Sequence, residues 1–325
     1  MQIIRSPLRV SLFGGGTDYP EFIEEFGKGL VVGGSINRYL YLIENRIYSG
    51  VHDFNVGVHY RNVEKVKLLS ELKFKPIKLA IENGFLEEKK EYYLISDLPA
   101  MSGLGSSSAL CVSIVALSGV NKKSNLSKNE IYSQASKFEQ DVLNEKVGFQ
   151  DQFFSAHGGF GKVEWEKNST PKYSRISEKS LLKLGKWLVL IPTKTSRIAS
   201  EIAAVQINRI TQNSKMLAEM MEIGEKGFDC IIREHFEELG KLINLTWNLK
   251  KRLAPNISNS IVDQLIYKAM DKGALGCKLL GAGSGGFILA LVDPEEQDRF
   301  CNHFEKEGYV KNIGFDHDGV TLVGV

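Results

Sequence analysis

The sequence has no long hydrophobic run and no excess of charge of one sign. No apolar stretch among its 325 residues approaches the roughly 20 that a helix needs to cross a bilayer, and the charge at Arg5 comes too early for a secretory leader. The 41 basic and 39 acidic residues give a formal net charge of +2, which provides no general attraction for nucleic acid or an anionic membrane. We therefore expect neither as a partner, and we expect any anion-binding site to be local.

Cysteine is scarce, and repeats are absent. Cys111, Cys230, Cys277 and Cys301 form no C-x-x-C pair and lie mostly in apolar runs, which is typical of buried free thiols. No block recurs at a fixed spacing, so we do not expect a repeat architecture. The 43% of hydrophobic residues suffice for a large core, and we predict a soluble protein of the reducing cytoplasm.

A loop of small residues at positions 98–109 runs directly into an apolar helical segment. Its glycines permit positive φ and close backbone approach, and its serines stand where the first helical turn leaves N–H groups unpaired. Such a helix start can hold phosphate without a side-chain cation. We predict a nucleotide-binding loop formed by Pro99, Ser102, Gly103, Leu104, Gly105, Ser106, Ser107 and Ser108; a simple helix cap is the alternative.

A second glycine cluster, residues 14–16, follows a predicted strand at residues 3–13. The strand contributes Arg9 and the loop contributes Thr17 and Asp18, a set that suits a polyhydroxylated and phosphorylated ligand. A tight turn with an aspartate cap is the competing interpretation.

Two carboxylates come later in the chain. Glu139 lies on a helix that begins with a capping-box pattern at residues 127–130, and Asp151 follows in a predicted loop, residues 148–153. Near bound phosphates, two carboxylates suit one magnesium ligand and one group that orients or deprotonates a hydroxyl. Spacing alone favours a solvated glutamate and a turn-capping aspartate, so the assignment depends on the other motifs.

The character of the sequence changes near residue 190, where we place the boundary between two domains, residues 1–190 and 191–325. Amphipathic helices are predicted at 199–224, 228–253 and 258–272. Gly281, Gly283 and Gly286 have the spacing of a dinucleotide fingerprint, but a strand follows them instead of a helix, which excludes that interpretation. We predict a glycine turn between two strands.

Three motifs stand in one order: residues 7–18 ending in Gly-Thr-Asp, the Gly/Ser loop at 99–109, and Lys-Leu-Leu-Gly-Ala-Gly-Ser-Gly-Gly-Phe at 278–287. Together they resemble the GHMP kinases, the family of galactokinase, homoserine kinase and mevalonate kinase. The resemblance implies an α+β GHMP kinase fold, with an S5-like N-terminal domain and a ferredoxin-like C-terminal domain. It also implies a phosphotransferase that uses ATP and Mg²⁺ on an alcohol group.

Within this family, the motifs resemble the branch of D-glycero-D-manno-heptose 7-phosphate kinases. The resemblance implies phosphorylation of the C1 hydroxyl to give heptose 1,7-bisphosphate, toward GDP-heptose for surface polysaccharide. Galactokinases carry Glu-His where this sequence has Gly15 and Gly16, which argues against galactose. A kinase for another sugar (fucose-like or a hexose), a silent sugar-binding regulator and an ATP-dependent decarboxylase are the alternatives, and a homodimer is a further expectation.

The resemblance also implies roles for single residues. Asp151 matches the catalytic aspartate, and Arg9 matches the basic residue that pairs with it and faces the transferred phosphoryl group. Ser107 and Glu139 match the magnesium-holding pair. Sugar contacts are expected from Gly15, Gly16, Thr17, Asp18 and Gly283, and contacts to a distal phosphate are expected from Arg38, Lys194 and Arg197.

Overall fold

The computed structural model describes residues 1–48, 50–100, 102–195 and 199–324, without the side chains at positions 199 and 200. The strands in chain order are β1 (Gln2–Phe13), β2 (Lys28–Arg46), β3 (Val56–His59), β4 (Val63–Val66), β5 (Lys90–Ser96), β6 (Phe160–Glu166), β7 (Lys172–Arg175), β8 (Leu188–Pro192), β9 (Gly276–Leu279), β10 (Phe287–Leu291) and β11 (Thr321–Gly324).

Helices connect these strands and cover them. They are α1 (Pro20–Phe26), α2 (Lys75–Glu82), α3 (Ser106–Asn121), α4 (Lys128–Lys137), α5 (Gln150–His157), α6 (Glu178–Trp187), α7 (Ala199–Ile207), α8 (Ile210–Arg233), α9 (Phe236–Leu253), α10 (Ser260–Asp271) and α11 (Gln297–Asn302). A 3-10 turn covers Leu69–Glu71, and a π-helical turn, Phe138–Val142, follows α4. None of the described helices is both long and apolar enough to span a bilayer.

The larger sheet is organised around β2. Its strand order is β11-β1-β2-β5-β3-β4, and β6 pairs with β2 and with β7. One half of β2 pairs with β6 and the other half with β5, while β1 runs along much of its length. The β-branched and aromatic composition predicts two strands here, at 30–36 and 40–47, separated by the polar Asn37 and Arg38. The structure corrects this to one 19-residue strand. The strand continues because the backbone N–H of Asn37 donates to Gly314 and its side chain accepts from Gly314, so the polar segment is satisfied in place.

The smaller sheet has the order β8-β10-β9. Antiparallel pairing of β9 with β10 confirms the predicted glycine turn between two strands. The predicted boundary between residues 190 and 191 falls inside β8, and β11 returns to pair with β1 in the larger sheet. The division of the chain into residues 1–190 and 191–325 stays a prediction.

Helix α3 is buried around most of its circumference. It packs against β1 on one side and against α4 and α5 on the other, which explains why its sequence is apolar without a polar face. All four cysteines are buried free thiols, as predicted.

The helices after residue 199 differ from the predicted segments. The stretch predicted at 199–224 is divided into α7 and α8, and α8 continues to Arg233 through Gly224 and Gly227. A Cβ at Gly227 would lie 2.2 Å from the Phe13 ring, so this glycine allows α8 to approach β1 and does not end a helix.

Candidate active site

One cavity of about 540 Å³ is lined by residues from all three sequence motifs and from both carboxylate segments. The predicted residues in its lining are Arg9, Gly15, Gly16, Asp18, Gly103, Gly105, Ser106, Ser107, Ser108, Glu139, Asp151 and Gly283.

The Gly/Ser loop enters α3 through Gly105, the residue preceding the helix, which has a left-handed φ of 77°. Within the described residues, no side chain caps this helix start, so the N–H groups of its first turn lack the partner that a cap would provide. Ser106, Ser107 and Ser108 of that turn line the cavity. The geometry suits a phosphate chain bound at a helix N-terminus.

The other predicted residues of this loop, Pro99, Ser102 and Leu104, do not line the cavity. The Ser102 carbonyl accepts a hydrogen bond from the Phe287 N–H, and the Leu104 carbonyl accepts one from the Arg9 N–H, both at 3.0 Å. Pro99 is exposed and outside the lining. Ser102 and Leu104 therefore fix the path of the loop.

The glycine turn between β9 and β10 packs directly against the backbone of the Gly/Ser loop. A Cβ at Gly281 would lie 2.7 Å from the Gly103 Cα, and a Cβ at Gly286 would lie 2.4 Å from the Ser102 carbonyl oxygen. These distances are too short for any side chain, so the two backbones meet only because glycine stands at these positions.

Arg9 and Asp151 form a two-point ion pair beside the loop. The Arg9 Nε and Nη2 atoms each donate to one Asp151 oxygen at 2.8 Å, and Nη1 donates to the Gly103 carbonyl. The sequence placed Asp151 in a loop, whereas it lies in the first turn of α5. A carboxylate is favoured there by the partial positive charge of the helix start.

Glu139 is fully buried in the π-helical turn. Its Oε2 accepts a hydrogen bond from Gln152 Nε2 at 2.7 Å, and its Oε1 has no hydrogen-bond partner in the described part of the chain. Burial raises the pKa of Glu139 to about 7, while the nearby hydroxyls of Ser108 and Ser107 act in the opposite direction. A buried carboxylate oxygen without a partner, beside Ser107, suits a hard divalent cation.

Asp18 is buried against the cavity and held by two backbone donors and one side-chain donor. Its Oδ1 accepts from the Gly16 N–H at 3.1 Å, and its Oδ2 accepts from the backbone and side-chain nitrogens of Gln150 at 3.2 and 3.0 Å. Burial raises its pKa. A Cβ at Gly148 would lie 2.1 Å from Oδ2, so the close approach requires glycine.

Thr17 does not line the cavity. Its Oγ1 lies 2.8 Å from the carbonyl oxygens of both Gly14 and Leu30 and accepts a bond from the Leu30 N–H. The Thr17 hydroxyl therefore links the glycine loop to β2 by hydrogen bonds. The predicted contact of Thr17 with the sugar stays a prediction.

Three residues were predicted to bind a distal phosphate. The two that the structure describes, Arg38 and Lys194, do not line the cavity. Arg38 donates to the carbonyl and side-chain oxygens of its neighbour Asn37. Lys194 lines a separate surface depression next to α10, and its Nζ donates to the Lys306 carbonyl. Arg197 lies outside the described residues, so its role stays a prediction.

Two buried lysines line the cavity and were not among the residues predicted from the sequence. Lys250 lies on α9 and is 6% exposed, and Lys278 lies on β9 and is 2% exposed. Burial, with the Arg9 charge next in size, lowers the pKa of Lys250 to about 8, and burial lowers that of Lys278 well below its ordinary value. The signal was available: Lys250 follows Ile243 and Trp247 at helical spacing on the buried face of α9.

The cavity continues into an apolar section beyond the phosphate loop. This section is lined by Tyr60, Phe74, Pro76, Leu94 and Ile95. The local sequence does not reveal this section, because its residues come from separate elements and share no motif. An apolar slot beside a phosphate loop suits a flat ring such as a purine.

Two segments of this chain match models of known protein families. The model described as GHMP kinases N terminal domain matches residues 66–159, and the model described as GHMP kinases C terminal matches residues 228–310.

Relatives and solved structures extend the similarity over the whole chain. A D-glycero-alpha-D-manno-heptose 7-phosphate kinase of Campylobacter jejuni is 29% identical, over 98% of each chain. A solved D-glycero-D-manno-heptose 1-phosphate kinase of Bacteroides thetaiotaomicron superposes with a TM-score of 0.78 at 22% identity, covering 100% of this chain and 99% of its own. A solved putative sugar kinase of Campylobacter jejuni gives a TM-score of 0.74 at 25% identity, covering 100% and 98%.

Proposed function

This chain belongs to the GHMP kinase family and is a phosphotransferase acting on a sugar hydroxyl, and we propose that its substrate is D-glycero-D-manno-heptose 7-phosphate. The C1 hydroxyl receives the γ-phosphate of ATP, giving heptose 1,7-bisphosphate, a precursor toward GDP-heptose for surface polysaccharide. Full-length similarity to the Campylobacter jejuni kinase supports the choice of sugar. The observation that carries the reaction is the Arg9–Asp151 pair, which lies in one cavity with the phosphate loop and the Gly15–Asp18 loop.

The nucleotide is proposed to lie along the start of α3. Its phosphates contact the N–H groups and hydroxyls of Ser106, Ser107 and Ser108, and its purine enters the apolar section of the cavity. Glu139 and Ser107 would hold Mg²⁺, and the unpartnered Glu139 Oε1 is the observation that supports this fit. When bound, the cation neutralises charge on the transferred phosphoryl group.

In the proposed mechanism, Asp151 accepts a hydrogen bond from the C1 hydroxyl and orients its oxygen toward the γ-phosphorus. A bond forms between that oxygen and phosphorus, the bond from phosphorus to the β,γ-bridging oxygen breaks, and ADP leaves. The hydroxyl proton passes to Asp151. Arg9 fixes the Asp151 carboxylate and faces the negative charge that spreads over the phosphoryl oxygens.

The sugar is proposed to lie between Asp18 and the glycine loop. Asp18 keeps lone pairs for sugar hydroxyls, since each of its oxygens can accept more than one hydrogen bond. Gly15 and Gly16 place no side chain in this part of the cavity, which leaves room for a seven-carbon sugar. The glycine turn contributes Gly283 to the same wall.

Release of ADP tests the substrate. With ATP and Mg²⁺, we expect turnover with D-glycero-D-manno-heptose 7-phosphate and much slower turnover, lower by at least about 100-fold in kcat/KM, with galactose, fucose, mannose and mevalonate, because a site built for polar groups rejects ligands that lack them. Efficient turnover of a neutral sugar would replace the proposed substrate. Sugar binding without any turnover would favour the silent regulator.

A further inference from the structure

Three buried cationic side chains line the cavity, and they differ in how their charge is compensated. Arg9 is paired with Asp151. Lys250 Nζ donates to the Gly281 carbonyl at 2.6 Å, and Lys278 Nζ donates to the Leu12 carbonyl at 2.8 Å. Across the part of the chain that the structure describes, neither lysine has a carboxylate within ion-pair distance.

Burial of Lys250 and Lys278 without a directly paired carboxylate among the described residues lowers the stability of the folded protein. A buried ammonium group is costly unless it is paired with an opposite charge, and it carries three N–H donors, of which one carbonyl satisfies only one. A methionine or leucine would fill the same space on α9 at lower cost. The presence of two such lysines in one cavity therefore indicates that an anionic ligand completes their environment.

The position of Lys250 directs this anion to the sugar side of the cavity. A Cβ on Gly15 would lie 3.6 Å from Lys250 Nζ and 3.8 Å from Gln150 Nε2, so the ammonium group lies over the glycine loop, next to the residue that precedes Asp151. The same loop ends in Asp18. Lys250 therefore lies close to the acceptor side of the proposed reaction.

We propose that Lys250, supported by Lys278, binds phosphoryl oxygens on the sugar side of the cavity. The inference rests on the proposed function and extends it. Two sources can supply this chemistry: the phosphate already carried by the sugar, and the phosphoryl group in transit. In the first case Lys250 selects phosphorylated sugars, and in the second it stabilises transferred charge.

Steady-state kinetics of Lys250→Met separate the two sources. The control is Lys251→Met, which removes an exposed lysine from the same helix. If the sugar's own phosphate is bound, KM for the sugar phosphate rises at least about tenfold with little change in kcat or in KM for ATP. If the phosphoryl group in transit is bound, kcat falls by about tenfold or more and KM changes little. Constants within about twofold of Lys251→Met would overturn the proposal.

A binding measurement decides the matter without turnover. In saturating MgADP, which occupies the nucleotide side, inorganic phosphate should raise the Tm of the wild-type protein and of Lys251→Met but not of Lys250→Met. Without ligand, Lys250→Met should melt at the same or a higher temperature, because a buried ammonium group without a directly paired carboxylate in the described part of the chain has been removed. If Lys250→Met does not fold, Lys250→Gln takes its place.

Two results of the thermal-shift measurement would overturn the proposal. Lys250 acts only as a structural pin for Gly281 if the variant melts lower and still gains stability from phosphate. The proposal also fails if phosphate does not shift the wild-type Tm. Because this measurement uses no sugar, it remains decisive even if D-glycero-D-manno-heptose 7-phosphate proves not to be the substrate.

Discussion

The Asp151 carboxylate is fixed before any ligand arrives. Arg9 donates to both of its oxygens at 2.8 Å, and Arg9 is in turn held by the Gly103 carbonyl. Each carboxylate oxygen keeps a lone pair for a ligand hydroxyl. The side chain proposed to orient the acceptor is thus tied directly to the loop proposed to hold the donor, and this coupling provides the positioning on which phosphoryl transfer depends.

Removal of the Asp151 charge tests its proposed role. We expect Asp151→Asn to lower kcat by about 10²- to 10⁴-fold, the range for a general acid–base group, with a small change in KM for ATP. Asp141→Asn, at an exposed position of the π-helical turn, is the control. A thermal unfolding curve should accompany the assay, since Arg9 loses its ionic partner in the variant. Near-normal turnover of a folded Asp151→Asn enzyme would eliminate the assignment.

Single residues were predictable where a motif defined them. Arg9, Asp18, Ser107, Glu139 and Asp151 were selected from local patterns and the family resemblance, and all of them line one cavity. Lys250 and Lys278 were not selected, because a lysine in a helix or strand is ordinarily solvated; the helical spacing of Lys250 with Ile243 and Trp247 was the one local signal of burial, and Lys278 had none. Arg38 and Lys194 were selected because they lie near motif segments in the sequence; their side chains donate to the backbone carbonyls of Asn37 and Lys306 outside the cavity, and their contact with a distal phosphate stays a prediction.

At the scale of elements, the start of α3 and the turn between β9 and β10 act as one unit. The Ser102 carbonyl accepts from the Phe287 N–H, and Gly281 and Gly103 lie in backbone contact. The turn comes from the C-terminal half of the chain, so a motif that does not bind phosphate itself still determines the shape of the phosphate loop.

A methyl group at the contact should disturb nucleotide binding. Gly281 has a φ of 78°, and the new Cβ of Gly281→Ala would lie 2.7 Å from the Gly103 Cα, so either the loop or the turn must move. We expect a lower Tm and a KM for ATP raised about tenfold, on the order of 1.4 kcal/mol of lost binding.

Gly27→Ala isolates the effect of the contact from that of the backbone. Gly27 has a similar φ of 82°, but a Cβ there would meet nothing within 4 Å. This variant should lose stability through left-handed strain alone, by about 1–2 kcal/mol, and keep the wild-type KM for ATP. Equal KM values for the two variants would contradict the supporting role of the turn.

Elements with strong local signals were predicted well, and those set by distant contacts were not. The glycine turn, β1 and the capped start of α4 followed from local patterns. The continuity of β2 depends on Gly314, far along the chain, and the start of α5 at Gln150 is fixed where the Phe149 N–H donates to the Asp18 carbonyl. Neither contact is visible in the local sequence, and propensity is readily overridden by such tertiary bonds.

For the whole molecule, the cavity requires both halves of the chain. Arg9, Asp18, Glu139 and Asp151 come from the segment before residue 190, and Lys250 and the glycine turn come from the segment after it. The strands do not follow this division, because β11 closes the edge of the larger sheet beside β1. The site therefore depends on contacts between the two halves of the chain as well as on the local motifs.

The central claim is that this molecule phosphorylates C1 of a heptose that already carries a phosphate. Phosphorus-31 NMR of the product formed from ATP, Mg²⁺ and D-glycero-D-manno-heptose 7-phosphate tests it most directly. We expect a new phosphomonoester signal split into a doublet by the single anomeric hydrogen, in addition to the retained 7-phosphate signal and in equal amount to the ADP released. ADP release without an anomeric phosphate signal would contradict the account.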